Sequence, residues 1–121
     1  MDLCRNTDGL SNQDGAVSLA TQLHAALDAG FTHIDAAEMY ETEQFTGPAF
    51  QAYLARNTAQ RQDYFITGKL WRSIPDVDAA VAQTLHYFGT DYLDMYLLHA
   101  PFLKEKGLPS SVAEVWAKME T

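Results

Sequence analysis

The sequence contains a single cysteine, few basic residues and no long apolar run. Cys4 has no second thiol to pair with, which excludes an internal disulfide framework and favours a reducing compartment. Eight Lys and Arg residues stand against 16 Asp and Glu residues, for a formal net charge of -8, and this balance argues against a protein that grips nucleic-acid backbones. No apolar run approaches the roughly 20 residues of a membrane-spanning helix, and the polar start has no signal-peptide core. We therefore expect a cytoplasmic protein with neither nucleic acid nor membrane as partner.

The length of the chain is suited to one domain. Its 121 residues, 47% of them hydrophobic, are enough for one domain with its own core and too few for two domains. Residues 1–16 are rich in turn formers such as Asn6, Asp8 and Gly9 and lack apolar periodicity, which predicts a loop or loose leader. Structure is therefore expected in residues 17–121.

Helical and strand-like patterns alternate along residues 17–121. Leu19, Leu23 and Leu27 recur at helical spacing before the stop signal Gly30, and the clearest helix covers 73–88, with Pro75 expected in its first turn. The predicted order is a helix from 17 to the stop, strand 31–37, helix 42–57, strand 64–70, helix 73–88, strand 92–99 and helix 110–120. This alternation predicts an α/β fold of right-handed βαβ units. The pattern does not decide between an open doubly wound sheet and a closed barrel.

Each predicted strand leads into an ionisable side chain: Asp35 with Tyr40 beyond it, then Lys69, then His99. Taken singly, each residue has an ordinary structural explanation. In either architecture, however, the carboxyl ends of parallel strands lie at the same edge of the sheet, so we expect the four side chains to lie close together. An ammonium near a phenol stabilises the phenolate, so Lys69 would activate Tyr40 as a proton donor, with Asp35 holding the lysine. His99 would orient a substrate oxygen. This set is suited to carbonyl reduction.

Three segments carry a resemblance to a known family. Residues 29–40 read Ala-Gly-Phe-Thr-His-Ile-Asp-Ala-Ala-Glu-Met-Tyr, residues 65–71 read Phe-Ile-Thr-Gly-Lys-Leu-Trp, and residues 91–101 read Asp-Tyr-Leu-Asp-Met-Tyr-Leu-Leu-His-Ala-Pro. In this order they resemble the segments of the aldo-keto reductase family that carry its catalytic residues. The resemblance extends from residue 17 to the end of the chain. It implies that residues 17–121 are the N-terminal part of a (β/α)8 TIM barrel, with about three βα units and a preceding helix.

The resemblance also implies an activity: reduction of an aldehyde or ketone to an alcohol with NADPH. By this resemblance Asp35, Tyr40, Lys69 and His99 are the catalytic residues, and Tyr40 is the general acid. Trp71 would line the substrate pocket, and Asp35 would also contact the cofactor. The expected partner is a small carbonyl compound, and no metal ion is expected.

The sequence also departs from this family. A complete barrel needs about 250 residues, and this chain supplies three of eight strands; the later strands, which hold the nicotinamide and the phosphates, have no counterpart. Pro48 is expected to interrupt its helix, and the acidic run Glu38, Glu41 and Glu43 is interpreted as a solvated loop without a role.

These departures leave an alternative function open. The chain would then be a catalytically inactive remnant, or a binding module that pairs, or self-associates, through its exposed sheet edges. A third possibility, a Rossmann-type domain, lacks the Gly-x-Gly-x-x-Gly turn that such domains carry.

Overall fold

The computed structural model describes residues 12–101 and 111–120. Helices and strands alternate along these residues. The elements in chain order are α1 (Asn12–Asp28), β1 (His33–Asp35), α2 (Glu43–Arg56), β2 (Phe65–Leu70), α3 (Val77–Phe88), β3 (Met95–Leu98) and α4 (Val112–Met119). Two short 3-10 turns, Glu38–Tyr40 and Arg61–Asp63, precede α2 and β2. Within the described residues, no helix is both long and apolar enough to cross a membrane.

The three strands form one parallel sheet in the order β1-β2-β3. Asp35 pairs with Thr67 between β1 and β2, and Lys69 pairs with Leu97 between β2 and β3. The predicted α/β fold, with three βα units and a preceding helix, is confirmed. The barrel is not closed, because β1 and β3 are edge strands in the part of the chain that the structure describes.

One face of the sheet is covered by helices. Ile34 and Ile66 are buried in a core with Leu23 and Leu27 of α1 and Phe50 of α2. A second cluster joins Leu70 of β2 to Val77 and Ala80 of α3 and to Val115 of α4. The alternation of side chains along a strand sends the intervening residues to the opposite face.

The described residues leave that opposite face open. Phe65, Met95 and Leu97 are 38%, 44% and 39% exposed, although large apolar side chains are ordinarily covered. The nearly continuous apolar run of strand 92–99 predicts a buried strand covered on both faces, and this prediction is wrong. The strand is shorter, Met95–Leu98, and one of its sides is exposed because the described helices pack on the other face of the sheet.

Several predicted boundaries also differ. Helix α1 begins at Asn12, five residues before the predicted start, because the turn-forming residue types in 12–16 are also favoured at helix starts; the rest of the predicted loop, residues 1–11, lies outside the described residues. Helix α3 begins at Val77 rather than 73, because the carboxylate of Asp76 accepts a hydrogen bond from the N–H of Ala79 and caps it. Pro75 thus precedes the helix. The predicted interruption at Pro48 is also wrong, since α2 is continuous through it.

Asp94, just before β3, joins the amino ends of two strands. Its Oδ2 accepts from the backbone N–H of Ile66 and from Arg61, each at 2.8 Å. Burial raises the pKa of Asp94, but these two donors outweigh burial and lower it. The guanidinium of Arg61 also stacks on the ring of Tyr92 at 4.1 Å. The acidic residue in an otherwise apolar segment therefore sets the register of β2 and β3.

Candidate active site

Lys69 is the centre of a group of side chains at the carboxyl ends of the strands. Its Nζ lies 2.6 Å from Oδ1 of Asp35, 3.0 Å from Oη of Tyr40 and 3.4 Å from the carbonyl oxygen of Ala36. An ammonium has three N–H donors, and these three acceptors match them. The structure therefore brings together three of the four residues predicted from the strand ends.

The lysine stays charged in this setting. Burial lowers the pKa of Lys69, but its hydrogen bonds to Asp35 and Tyr40 outweigh burial and raise it. The hydroxyl of Tyr40 accepts a hydrogen bond from Lys69, so its own proton remains available for donation. The side chain of Asp35 is 45% exposed, whereas that of Lys69 is 12% exposed. The pair thus faces the open side of the sheet.

His99 is the fourth predicted residue, and it lies beside Tyr40. It follows β3 directly, where its backbone N–H donates to the carbonyl of Leu70. Its ring meets the ring of Tyr40 edge-on at 5.5 Å and that of Trp71 at 5.4 Å. Burial and the Lys69 ammonium lower the pKa of His99, so the imidazole is neutral at pH 7. Its Nδ1 is buried and has no hydrogen-bond partner among the described residues, whereas buried polar atoms normally have one.

Tyr40 ends the 3-10 turn Glu38–Tyr40, and the side chain of Glu38 anchors this turn. The carboxylate accepts hydrogen bonds from three consecutive backbone N–H groups, those of Trp71, Arg72 and Ser73, and from the hydroxyl of Ser73. Burial raises the pKa of Glu38, but these donors outweigh burial and lower it. The segment that carries Tyr40 is therefore joined to the loop that follows Lys69.

The sequence interpretation missed two of the three acidic residues near Tyr40. Glu41 is exposed and pairs with Arg72 on the surface, in accordance with the predicted solvated loop. Glu38 is bound by the Trp71–Ser73 backbone instead, and no residue pattern indicates this contact. Glu43 is buried against the hydroxyl of Thr84. A signal for Glu43 did exist, because it shares helical spacing with the buried residues Thr46, Gly47 and Phe50.

Comparison with known proteins gives consistent matches. The model of the Aldo/keto reductase family matches residues 6–121. The NAD/NADP-dependent indole-3-acetaldehyde reductase of Schizosaccharomyces pombe is 42% identical over 97 residues, which are 79% of this chain and 32% of that protein. Estradiol 17 beta-dehydrogenase 5 of Mus musculus is 40% identical over 85 residues, 68% of this chain and 26% of that protein.

A solved structure is also similar to this fold. It is the crystal structure of a Bombyx mori aldo-keto reductase in complex with NADP, with a TM-score of 0.75 and 29% identity. The match covers 93% of this chain and 38% of that one. The chain thus spans about a third of the length of the proteins it matches.

Proposed function

Because the chain belongs to the aldo/keto reductase family, we propose that it carries the proton-donating site of an oxidoreductase that reduces an aldehyde or ketone to an alcohol with NADPH. Tyr40 is the general acid of this reaction. The observation that supports this proposal is the 3.0 Å contact between Lys69 Nζ and Tyr40 Oη, with Asp35 bound to the same ammonium at 2.6 Å.

The proton moves from Tyr40 to the substrate. When bound, NADPH supplies the hydride that reduces the carbonyl carbon. The hydroxyl of Tyr40 gives its proton to the carbonyl oxygen, and the Lys69 ammonium stabilises the phenolate that this leaves. Asp35 keeps Lys69 charged and fixed in position, because its carboxylate binds the ammonium and raises the pKa of the lysine.

His99 and Trp71 orient the carbonyl group. As a neutral imidazole, His99 donates one N–H to the carbonyl oxygen without competing with Tyr40 as a proton source. The half-buried ring of Trp71 lies against His99 and forms an apolar wall beside it. In this proposal Trp71 is a substrate-binding residue.

The described residues fit one end of NADPH. The carboxylate of Asp35 is half exposed on the open face and can accept a hydrogen bond from a ribose hydroxyl, and the unpartnered Nδ1 of His99 is in keeping with a polar ligand nearby. The phosphates of NADPH have no such partner at the end of β2, because its basic residues, Lys69 and Arg72, are both paired with carboxylates. Neither of these two residues is therefore assigned to the phosphates.

The test is the oxidation of NADPH by the chain in the presence of an aromatic aldehyde. Tyr40→Phe is expected to lower kcat by about 100-fold or more, because general acid catalysis typically contributes that much. Urea unfolding with excess NADPH checks that the variant still binds the cofactor, since a ligand of the folded state raises its stability.

Tyr92→Phe is the matched control, since Tyr92 is an exposed tyrosine near the amino end of β3. Equal rates for Tyr40→Phe and the wild-type chain would rule out Tyr40 as the acid. If the wild-type chain shows no turnover and NADPH does not change its unfolding, the second candidate function is favoured. That candidate is an edge-pairing module, which the exposed Met95 and Leu97 on an edge strand favour.

A further inference from the structure

The turn that carries Tyr40 has little stability of its own. It is a single 3-10 turn of three residues, Glu38–Tyr40, closed by the hydrogen bonds Tyr40 N–H to Ala37 O and Glu41 N–H to Glu38 O. Glu41 follows with a φ of 57°, in the left-handed region that non-glycine residues rarely adopt. So short a turn does not persist unaided, and contacts from other segments must fix the position of the phenol.

Glu38 supplies most of those contacts. Its Oε2 accepts from the N–H of Trp71 at 2.8 Å and of Arg72 at 2.9 Å, and its Oε1 accepts from the hydroxyl of Ser73 at 2.7 Å. The N–H of Ser73 lies 3.0 and 3.2 Å from the two oxygens. Hydrogen bonds to a charged acceptor are roughly twice as strong as those between neutral groups.

The position of Glu38 in the chain matters as much as the strength of its hydrogen bonds. Glu38 lies two residues before Tyr40, and Trp71 lies two residues after Lys69. A link between Glu38 and Trp71–Ser73 therefore joins the segment of the acid directly to the segment of its ammonium. It also holds the backbone of Trp71, whose ring packs beside His99.

We propose that Glu38 is a positioning residue of this site, whose carboxylate clamps the Tyr40 turn to the loop after Lys69 and so sets the contact between Tyr40 Oη and Lys69 Nζ. The role rests on the proposed function, in which Tyr40 is the acid. Glu38 does not touch substrate or reacting atoms; it acts through Tyr40.

A second carboxylate bridges the same two segments and allows a matched comparison. Glu41 binds Arg72 at 2.7 Å, but both side chains are well exposed, at 63% and 65%. Exposed ion pairs contribute little, because solvent screens them and both side chains lose conformational freedom. The clamp thus depends on Glu38 and not on Glu41.

The primary test is amide hydrogen exchange on the full chain, which needs no turnover. In Glu38→Gln, the amides of Trp71, Arg72 and Ser73 are expected to exchange about 10 to 100-fold faster, the range that the loss of one charge-assisted hydrogen bond gives. The ring resonances of Tyr40, assigned with Tyr40→Phe, are expected to shift or broaden. Glu41→Gln should leave the same amides and resonances nearly unchanged.

Ser73→Ala is the second variant, in case Glu38→Gln does not fold. It removes only the hydroxyl donor at 2.7 Å and keeps the carboxylate with its three N–H partners. The same amides are expected to exchange faster in this variant, by less than in Glu38→Gln. Unchanged amides and an unchanged Tyr40 ring in the folded Glu38 variant, or in Ser73→Ala where the former is unfolded, would overturn the proposal.

Turnover distinguishes this role from a merely structural one. With NADPH and aldehyde, Glu38→Gln is expected to lower kcat by about tenfold or more with little change in KM, because a displaced acid weakens the transition state and not substrate binding. An unchanged kcat would overturn the positioning role. A chain without turnover, but with the expected exchange pattern and Tyr40 shift, would contradict the proposed reductase activity and leave the clamp of the Tyr40 turn standing.

Discussion

Three glutamates within six positions occupy three different environments, and the surroundings of each decide its charge. Glu38 is held by backbone donors that lower its pKa, and Glu41 pairs with Arg72 at the surface. Glu43 is 6% exposed at the start of α2, and burial raises its pKa to about 7, with Glu38 adding to the effect and Thr84 and Lys69 opposing it. Residue type alone does not separate these cases.

Glu43 gives the fold a predictable pH dependence. Its pKa is raised in the folded state, from an ordinary 4.5 to about 7, so the folded chain holds a proton that the unfolded chain releases. Stability from this group is fully present below pH 4.5 and is lost as the pH rises through 7. At about 1.4 kcal/mol per pKa unit, the loss is at most about 3–4 kcal/mol.

The measurement is urea unfolding of the wild-type chain and of Glu43→Gln between pH 4 and 8.5. The variant is expected to gain stability relative to wild type as the pH rises. His99 has a lowered pKa and makes both chains less stable as the pH falls below its ordinary 6.5, but this contribution cancels in the difference. Glu41→Gln is the exposed control. Parallel curves for wild type and Glu43→Gln would show that Glu43 ionises as an ordinary surface carboxyl.

At the residue scale, the predictable part of the site was the part fixed by strand ends. Asp35, Lys69 and His99 follow apolar runs, and parallel strands bring such positions to one edge. The partners of Glu38 are backbone N–H groups of a loop, and every residue type except proline carries that donor. Sequence therefore indicates the side chains around Lys69 but not the clamp on the Tyr40 turn.

At the scale of elements, α2 and α3 approach closely at Gly47. A methyl group at this position would clash with the carbonyl group of Tyr87 and lie 2.9 Å from the backbone nitrogen of Phe88. Backbone atoms of a helix cannot rotate away as a side chain can, so the two helices would have to separate. The sequence showed a helix here, but it did not show which neighbour requires glycine at position 47.

Gly47→Ala tests this approach. Alanine favours a helix by up to about 1 kcal/mol over glycine, whereas overpacking a close contact costs about 1–3 kcal/mol or more. The cost of the clash should exceed the gain in helix propensity, so the free energy of unfolding in urea should fall by roughly 1–2 kcal/mol. Ala55→Ser also adds one heavy atom to α2, at an exposed position, and should change stability by less than about 0.5 kcal/mol. A more stable Gly47→Ala chain would mean that the helices do not pack this closely.

Pro48 shows why the boundaries of elements were less predictable than their existence. Proline removes one helical hydrogen bond and usually ends a helix, yet α2 continues from Glu43 to Arg56. Pro48 lies in the second turn on the exposed side, where water can solvate the carbonyl that loses its partner. Packing of Phe50 and Tyr53 in the core outweighs the local cost.

At the scale of the whole molecule, the described helices cover one side of the sheet. The apolar runs of a parallel strand predict burial on both faces, and they do not say whether the covering groups lie in the same chain. Here the helices cover Ile34, Ile66 and Leu70, while Phe65, Met95 and Leu97 are exposed. The order of elements was thus predictable, and the open face was not.

This open face leads us to expect that the chain self-associates through β3. An edge strand offers unpaired backbone groups, and Met95 and Leu97 add an exposed apolar surface beside them. Sedimentation velocity over a range of concentrations should show an association that Met95→Lys weakens by about tenfold or more, since a charge at an edge opposes strand pairing.

Met39 is equally exposed, at 43% against 44%, but lies in the turn before α2, so Met39→Lys is the control. A wild-type chain that stays monomeric at high concentration would contradict the prediction. Equal weakening by Met39→Lys would place the contact elsewhere, because only Met95 belongs to the edge strand.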